Sequence, residues 1–594
     1  MLQETNQRLR FYMLQAEKHY SMKIFRNGRF IATALLFASI WPSVVAVAQE
    51  EIKQAEEVTI IGDFSPKITE ANKIMKSPEV QDTVIGMPAM QYSIISVPWQ
   101  MHFPVSDIQP LKNKPEPDVK YLRNYARLGF GNYTTPYLEF FAGKTQSKSN
   151  AVGLHFRHLS SQGDGDGIFQ NGFSFNDVDI YGKIITRSYA INIDGAYNRH
   201  GIHYYGFDTT GLAPGLVPSE DSLKQAYNRF SAGISFTSQN TRRGSLNHAF
   251  GARFAMLTDH YSTNELNFKL NFEADADVNL FDGSQKQKLG MLTDFNYFNN
   301  QWAIATSTNS SLLNLRPFYM IEFAEYSLWL GGNIEMSDDS SSAWHIYPEA
   351  RAGVNVIKDV LEVYAGIRGG QYRNSFDRLT RINPYVIREL PLKFSNSTFE
   401  LYGGFHSSFS RFIDFSGTFS SGKVENMALY YNPAPLFQPG NLMSVVYDDV
   451  TLMRISAEFS YQKKDIIRLI FGGAYQSSRP TKETHAWYTP EIEGWLSGDI
   501  NISPELKIKA SAKFFSKMYA RVDTLSNNLH SSPIGEKIIK IDPYLDLGVG
   551  AEYRFNPRFS VFLDINNLLA SRYEYWYNYK HYGINVLGGI TFGF

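Results

Sequence analysis

Fifteen consecutive residues keep a strict two-residue period. Leu266, Phe268, Leu270, Phe272, Ala274, Ala276, Val278 and Leu280 are apolar, and Asn267, Lys269, Asn271, Glu273, Asp275, Asp277 and Asn279 between them are polar or charged. Successive side chains of a β-strand point to opposite faces, so this stretch reads as a strand with one oily and one charged face. At about 3.3 Å per residue it would run about 50 Å, longer than most strands of soluble sheets. A tilted strand that crosses a bilayer and projects beyond it has that length.

The pattern recurs through residues 125–594. Ala126, Leu128 and Phe130 alternate with Arg127 and Gly129, and Val178, Ile180 and Ile184 with Asp179 and Lys183. Leu361, Val363, Ala365 and Ile367 alternate with Glu362, Tyr364 and Arg368, and Leu545, Leu547, Val549 and Ala551 with Asp546, Gly548, Gly550 and Glu552. A charged face inside an apolar one inverts a soluble barrel. The connections carry an independent signal. Short turns fall near 145–150, 187, 239–245, 281–286, 324, 357–359, 410, 462–465, 503–505 and 556–558. Mostly longer loops alternate with them, near 132–135, 160–176, 199–225, 258–264, 299–309, 337–344, 370–396, 421–451, 476–489, 519–542 and 569–583. Ten turns and eleven loops predict an all-β transmembrane antiparallel barrel of 22 strands, within a range of 16–24 because one missed hairpin changes the count by two. Short turns belong to the periplasmic rim.

Composition agrees. Aromatic residues make up 15% of the chain, yet mean hydropathy is −0.28. The balance of 57 basic and 58 acidic side chains removes the electrostatic argument for nucleic-acid binding. Without cysteine there is no disulfide scaffold, thiol catalyst or Cys-ligated zinc site.

One hairpin predicts register. Ile492, Leu496, Ile500 and Ile502 precede the turn Ser503-Pro504-Glu505, and Leu506, Ile508, Ala510 and Ala512 follow it on the same face. That match sets Asp499 opposite Lys509 and Glu491 opposite Lys517 on the lumen face. The stripe Lys507, Lys509, Lys513 and Lys517 then reads as lumen ion pairs, which mildly stabilise a ladder, in preference to an anion-guiding track. Glu273, Asp275 and Asp277 are expected to face the lumen likewise.

Residues before 125 differ. A basic region from Met22 to Arg29, an apolar run from Phe30 to Val45 and Ala46-Val47-Ala48 before Gln49 read as a cleaved signal peptide, residues 22–48. Residues 1–21 are polar and read as a gene-model extension. Residues 49–124 carry eight prolines between Pro66 and Pro117, which forbid long helices and central strands. This segment is expected in the periplasm or the lumen.

The end of the chain is more specific. Ile584, Val586, Gly588, Ile590, Phe592 and Phe594 share one parity. A last strand ending on aromatics resembles the signal read by the outer-membrane assembly machinery, with Phe592 and Phe594 as its carriers. Asn567-Leu568, Arg572-Tyr573 and Gly588–Phe594 resemble the closing strands of TonB-dependent receptors, whose barrel also has 22 strands. Glu56-Glu57-Val58-Thr59-Ile60-Ile61-Gly62 looks like the short strand that opens many members. The family's plug is longer than residues 63–124, so the plug is expected to be absent or truncated. Something must then fill the channel: the Pro-rich segment, the loops 199–225, 370–396 and 421–451, or a partner.

Chemistry motifs are weak. Asp164-Gly165-Asp166-Gly167 fails the EF-hand spacing and reads as a turn. His155 and His158 lie on opposite strand faces and cannot share a metal. His200, His203, Tyr204 and Tyr205 read as belt or loop packing near the outer rim. With no phosphate loop, nucleophile elbow or zinc-protease motif, no enzyme activity and no cofactor are expected. The expected function is uptake of an unidentified small ligand, or surface reception, at a Gram-negative outer membrane. The long loops would capture the ligand and a charged lumen would pass it on. Membrane lipid, the assembly machinery and TonB or other envelope proteins are the expected partners. The alternative is a plug-less accessory subunit of an envelope assembly or secretion complex.

Overall fold

A computed structural model describes residues 124–144, 149–163, 171–206, 220–239, 245–281, 286–303, 307–339, 342–434, 441–463, 466–525 and 534–594. The expected extension, signal peptide and Pro-rich segment, apart from Asn124, lie outside these residues, as do residues 164–167.

Twenty-two strands form one antiparallel sheet in which chain neighbours pair throughout. The first strand, Tyr125–Gly131, pairs with the second, Thr135–Lys144, and with the last, Asn585–Gly593. Ala126 therefore stands opposite Phe140 on one side and Phe592 on the other. Closure satisfies the backbone groups that a sheet edge would leave bare in lipid. The predicted count and the alternation of turns and loops match this sheet.

The two faces sort as the alternation requires. In Tyr189–His203 the outward Ile193 and Tyr197 are exposed, and in Asn247–Thr258 so are Phe250 and Phe254. The same holds for Phe268 and Phe272, and for Ile492, Leu496 and Ile500. Charges of the other parity pair across the inner wall: Arg127 with Asp564 at 3.0 Å, Arg157 with Asp177 at 2.7 Å, Arg253 with Asp194 at 2.7 Å and Arg316 with Asp294 at 2.8 Å.

Several expectations need correction. The strand opening at residue 264 is Asn264–Val278, so Leu280 falls in the following turn. The expected loop 421–451 is mostly wall. Ile413–Tyr431 and Ser444–Lys463 are strands of 19 and 20 residues, at about 3.3 Å each far taller than a bilayer. The alternation fails there because the register shifts between Val424 and Met427, where Asn426 takes a left-handed φ of 51°. The expected loop 519–542 contains a separate hairpin, Met518–Leu525 with Ile534–Ile541.

Asp499 does face Lys509 in the ladder, but its ion pair is with Lys507, at 3.2 Å, while Lys509 reaches Glu552 at 3.9 Å. Likewise Lys288 stands opposite Asp277 yet binds Asp275 at 2.6 Å. Strand twist skews direct partners apart, and a long lysine reaches the diagonal neighbour. The ladder ends at Glu493 and Phe515, before Glu491 and Lys517 are reached; Lys517 instead lies over the Tyr519 ring at 5.8 Å.

Candidate functional site at the long-loop mouth

The mouth is built where three long connections converge. Tyr205 follows the fifth strand of the ring, Tyr385 the thirteenth and Tyr579 the twenty-first. Their rings nonetheless touch: Tyr385 stacks on Tyr579 at 3.7 Å, and Tyr205 meets Tyr579 at 4.9 Å and Tyr385 at 6.0 Å. Neighbouring strands are about 4.8 Å apart, so loops rooted six to eight strands apart meet only by crossing the opening. Hydrogen bonds fix the junction. The Tyr205 hydroxyl donates to Lys580 O at 3.1 Å, and the Tyr579 hydroxyl to Asn441 O at 3.0 Å. The Tyr227 hydroxyl donates to Pro384 O at 2.8 Å. Burial pushes the Tyr385 phenol up to about 12, so it stays neutral at physiological pH.

An apolar core surrounds the junction. Leu379, Val386, Leu429, Met443, Val450, Trp487, Met518 and Trp576 are buried together, drawn from tall strand ends and from loops. The hairpin Met518–Leu525 joins it by a parallel bridge between Asn432 and Val522, and Arg521 pairs with Glu483 at 2.8 Å.

A short helix, Phe376–Ile382, is bolted to the wall beneath. Ser375 caps it by accepting from Arg378 N at 3.2 Å. Glu265, on the wall strand, accepts from Phe376 N at 2.6 Å, Asp377 N at 3.1 Å and Asn300 Nδ2 at 2.7 Å. Carboxylate acceptors suit the free amides at a helix start. Arg229 donates to Asp377 at 2.7 Å and to Thr380 at 3.0 Å, and the Tyr430 hydroxyl donates to Leu379 O at 2.9 Å. A cavity of about 90 Å³ remains between the helix and the wall, lined by Arg229, Glu265, Asp377 and Arg381.

Asp377 makes this latch pH-sensitive. Burial pushes its carboxyl up, but Arg381 and Arg229 outweigh that and hold it below the usual carboxylate range. A carboxyl lowered on folding contributes stability above its unfolded pKa, about 3.9, which is lost as pH falls through the folded value. In bilayer recordings the barrel is therefore expected to stay closed at neutral pH and to show openings only as the pH falls below the ordinary carboxylate range. Asp377→Asn should open at neutral pH and lose most of that acid dependence.

The residues singled out in the sequence lie mainly on the wall. Asp275 is buried against Lys288 and Asn247. Glu273 stands opposite Ala249 and Leu292, and Lys513 opposite Trp495 and Asp546. Phe592 and Phe594 are half-exposed, their rings 6.1 Å apart beside the closing seam. His155 bridges Glu139 at 3.1 Å and Asp179 at 3.5 Å, while His158 binds Asn176. His200 joins Asp177, and Tyr204 and Tyr205 pack in the mouth, which is the loop-packing role. Sequence reasoning missed Glu265, Arg229, Asp377 and the tyrosine junction. Ser375, with Asp377 in the first turn of the helix, is a readable helix start; the rest depends on contacts between distant segments.

No family model and no curated protein matches the chain. Solved structures share its fold. It is similar to the FrpB iron transporter of Neisseria meningitidis, with a TM-score of 0.59 and 10% identity over 80% of this chain and 82% of that one. The ferric-catecholate import receptor Fiu of E. coli K12 gives 0.58 and 10% over 80% and 82%. The siderophore receptor PirA of Acinetobacter baumannii gives 0.58 and 12% over 80% of each chain.

Proposed function

We propose that this chain is an outer-membrane receptor that admits a small ligand through the long-loop mouth and passes it along a charged lumen. The observation that carries the reading is the meeting of three loops, rooted six to eight strands apart, over a closed wall of 22 strands. A barrel of this size leaves a wide channel unless something fills it, and a mouth that holds itself shut by its own side chains suits gated passage. Short turns support a periplasmic position for the opposite rim. The likeness in fold to proteins described as import receptors and an iron transporter supports uptake over a static role. An export signal at residues 22–48 and recognition of Phe592 and Phe594 by the assembly machinery fit the same location. The paired inner charges, Asp275, Asp499, Lys507 and Lys509 among them, would form the lumen lining. TonB is the partner this reading implies.

Pull-down of the tagged full-length protein in mild detergent, followed by bilayer recording, tests it. A barrel recovered without stoichiometric envelope subunits, and closed at rest, is expected. Recovery as a fixed subunit of a larger assembly would overturn the receptor reading in favour of an accessory role.

A further inference from the structure

We infer that the inner wall from Thr308–Phe323 to Phe394–Ser410 holds a binding site for a hydrated divalent cation. A cavity of about 310 Å³ lies against these five adjacent strands, and Asn314, Asn333, Glu335, Glu349 and Gln371 line it together with two guanidinium groups, Arg316 and Arg368.

Its carboxylates lack the cation that several others on the wall hold, although Glu265 and Asp448 are likewise buried on amide donors without an ion pair among the described residues. Asp177, Asp194, Asp275 and Asp294 each hold a cation within 4 Å. Glu335 is only 1% exposed, yet it forms no ion pair with a described residue. It accepts from Asn333 Nδ2 at 2.7 Å and from Gln371 N at 2.7 Å. Glu349 faces the same cavity and forms no ion pair with a described residue either. A buried carboxylate without a cation is costly. The nearby guanidinium groups are turned elsewhere, Arg316 to Asp294 at 2.8 Å and Arg368 to Glu400 at 2.7 Å.

The neutral groups show the same surplus of acceptors. Asn333 is 4% exposed, and its Oδ1 has no hydrogen-bond partner among the described residues. Its amide orientation is fixed, since Nδ2 donates to Glu335 and to Gly369 O at 3.1 Å. Asn314 Oδ1 and Gln371 Oε1 are also without partners, against a single donor in that condition, Arg316 Nε. Three amide oxygens and two carboxylates make an oxygen-only donor set, the chemistry of a hard cation.

The backbone is shaped to permit this. The ladder shifts register between Arg368 and Gly370, and the bulge moves the inward parity from Arg368 to Gln371. A side chain at Gly370 would meet Asn333 Nδ2 and Glu335 Oε1, each at 3.1 Å. At about 30 Å³ per water, the cavity is too large for a bare ion and suits one that keeps its water shell, as Mg²⁺ does.

Calorimetric titration of the EDTA-treated full-length barrel with MgCl₂, and separately with CaCl₂, tests the site. One saturable event is expected, weakened at least tenfold in Glu349→Gln and in Glu335→Gln. Glu505→Gln, at a turn remote from the cavity, should bind as the parent does. No saturable heat with either metal, or unchanged affinity in Glu349→Gln, would overturn the proposal. Saturation by putrescine but by neither metal would overturn it as well.

Discussion

Removing the Glu265 carboxylate is expected to undock the helix Phe376–Ile382 and turn a closed barrel into a conducting one. Glu265 is buried and serves two backbone amides of the helix, with Asn300 as a third donor. Glu265→Ala strands all three donors, each costing about 1–3 kcal/mol when buried. The loss also leaves the helix held only by Arg229, through Asp377 and Thr380, and by the Tyr430 hydroxyl on Leu379 O. Phe376, packed on Trp302 at 5.4 Å, would come away, and Tyr385 would leave the junction with Tyr579. Bilayer recordings should show stepwise conductance in Glu265→Ala, and smaller or briefer openings in Glu265→Gln, which keeps one oxygen acceptor. Both variants staying closed would mean that the helix is not the latch.

A charge on the outer face is expected to cost nearly as much. Phe254 sits mid-strand on the apolar parity and is 39% exposed. Phe254→Arg should destabilise the barrel by roughly 2–4 kcal/mol, as a cation near the bilayer midplane does. Ser235 is on the other parity, its hydroxyl accepting from Asn192 Nδ2 at 3.2 Å. Ser235→Arg is expected to cost under about 1 kcal/mol, since lumen positions meet water. Guanidinium unfolding of both variants in lipid vesicles reads the difference; equal costs would place lipid on neither face.

Much of this was legible in the sequence, for a local reason. Period-two alternation and turn residues are properties of adjacent positions, so the ring of 22 strands, the outward Ile492, Leu496 and Ile500, and the register setting Asp499 against Lys509 could be read directly. The failures are local too where the backbone departs from an ideal strand. At Asn426 an inserted residue breaks the period, and two tall strands read as loop. The loop junction at the mouth was not legible. Glu265 shares the polar parity of Lys269 and Glu273 and looks like another lumen charge, because the amides it caps lie 111 and 112 residues away. Tyr205, Tyr385 and Tyr579 carry no pattern that announces their meeting. Of the five fillers the sequence suggested, the loops 199–225 and 370–396 contribute Tyr205 and Tyr385 to the junction with Tyr579, and the Pro-rich segment lies outside the described residues.

The central claim is that the first and last strands close the sheet, and the absence of cysteine makes it directly measurable. Ala126→Cys with Phe592→Cys tests the closing seam, and Ala126→Cys with Phe140→Cys tests the neighbouring hairpin as a control. Directly opposite residues of an antiparallel pair lie about 4.5–5.5 Å apart, within disulfide reach. Oxidation in the membrane should join both pairs with similar yield, the seam pair giving a circle of altered gel mobility that one protease cut converts to a single linear band. A control pair that joins while the seam pair does not would contradict closure.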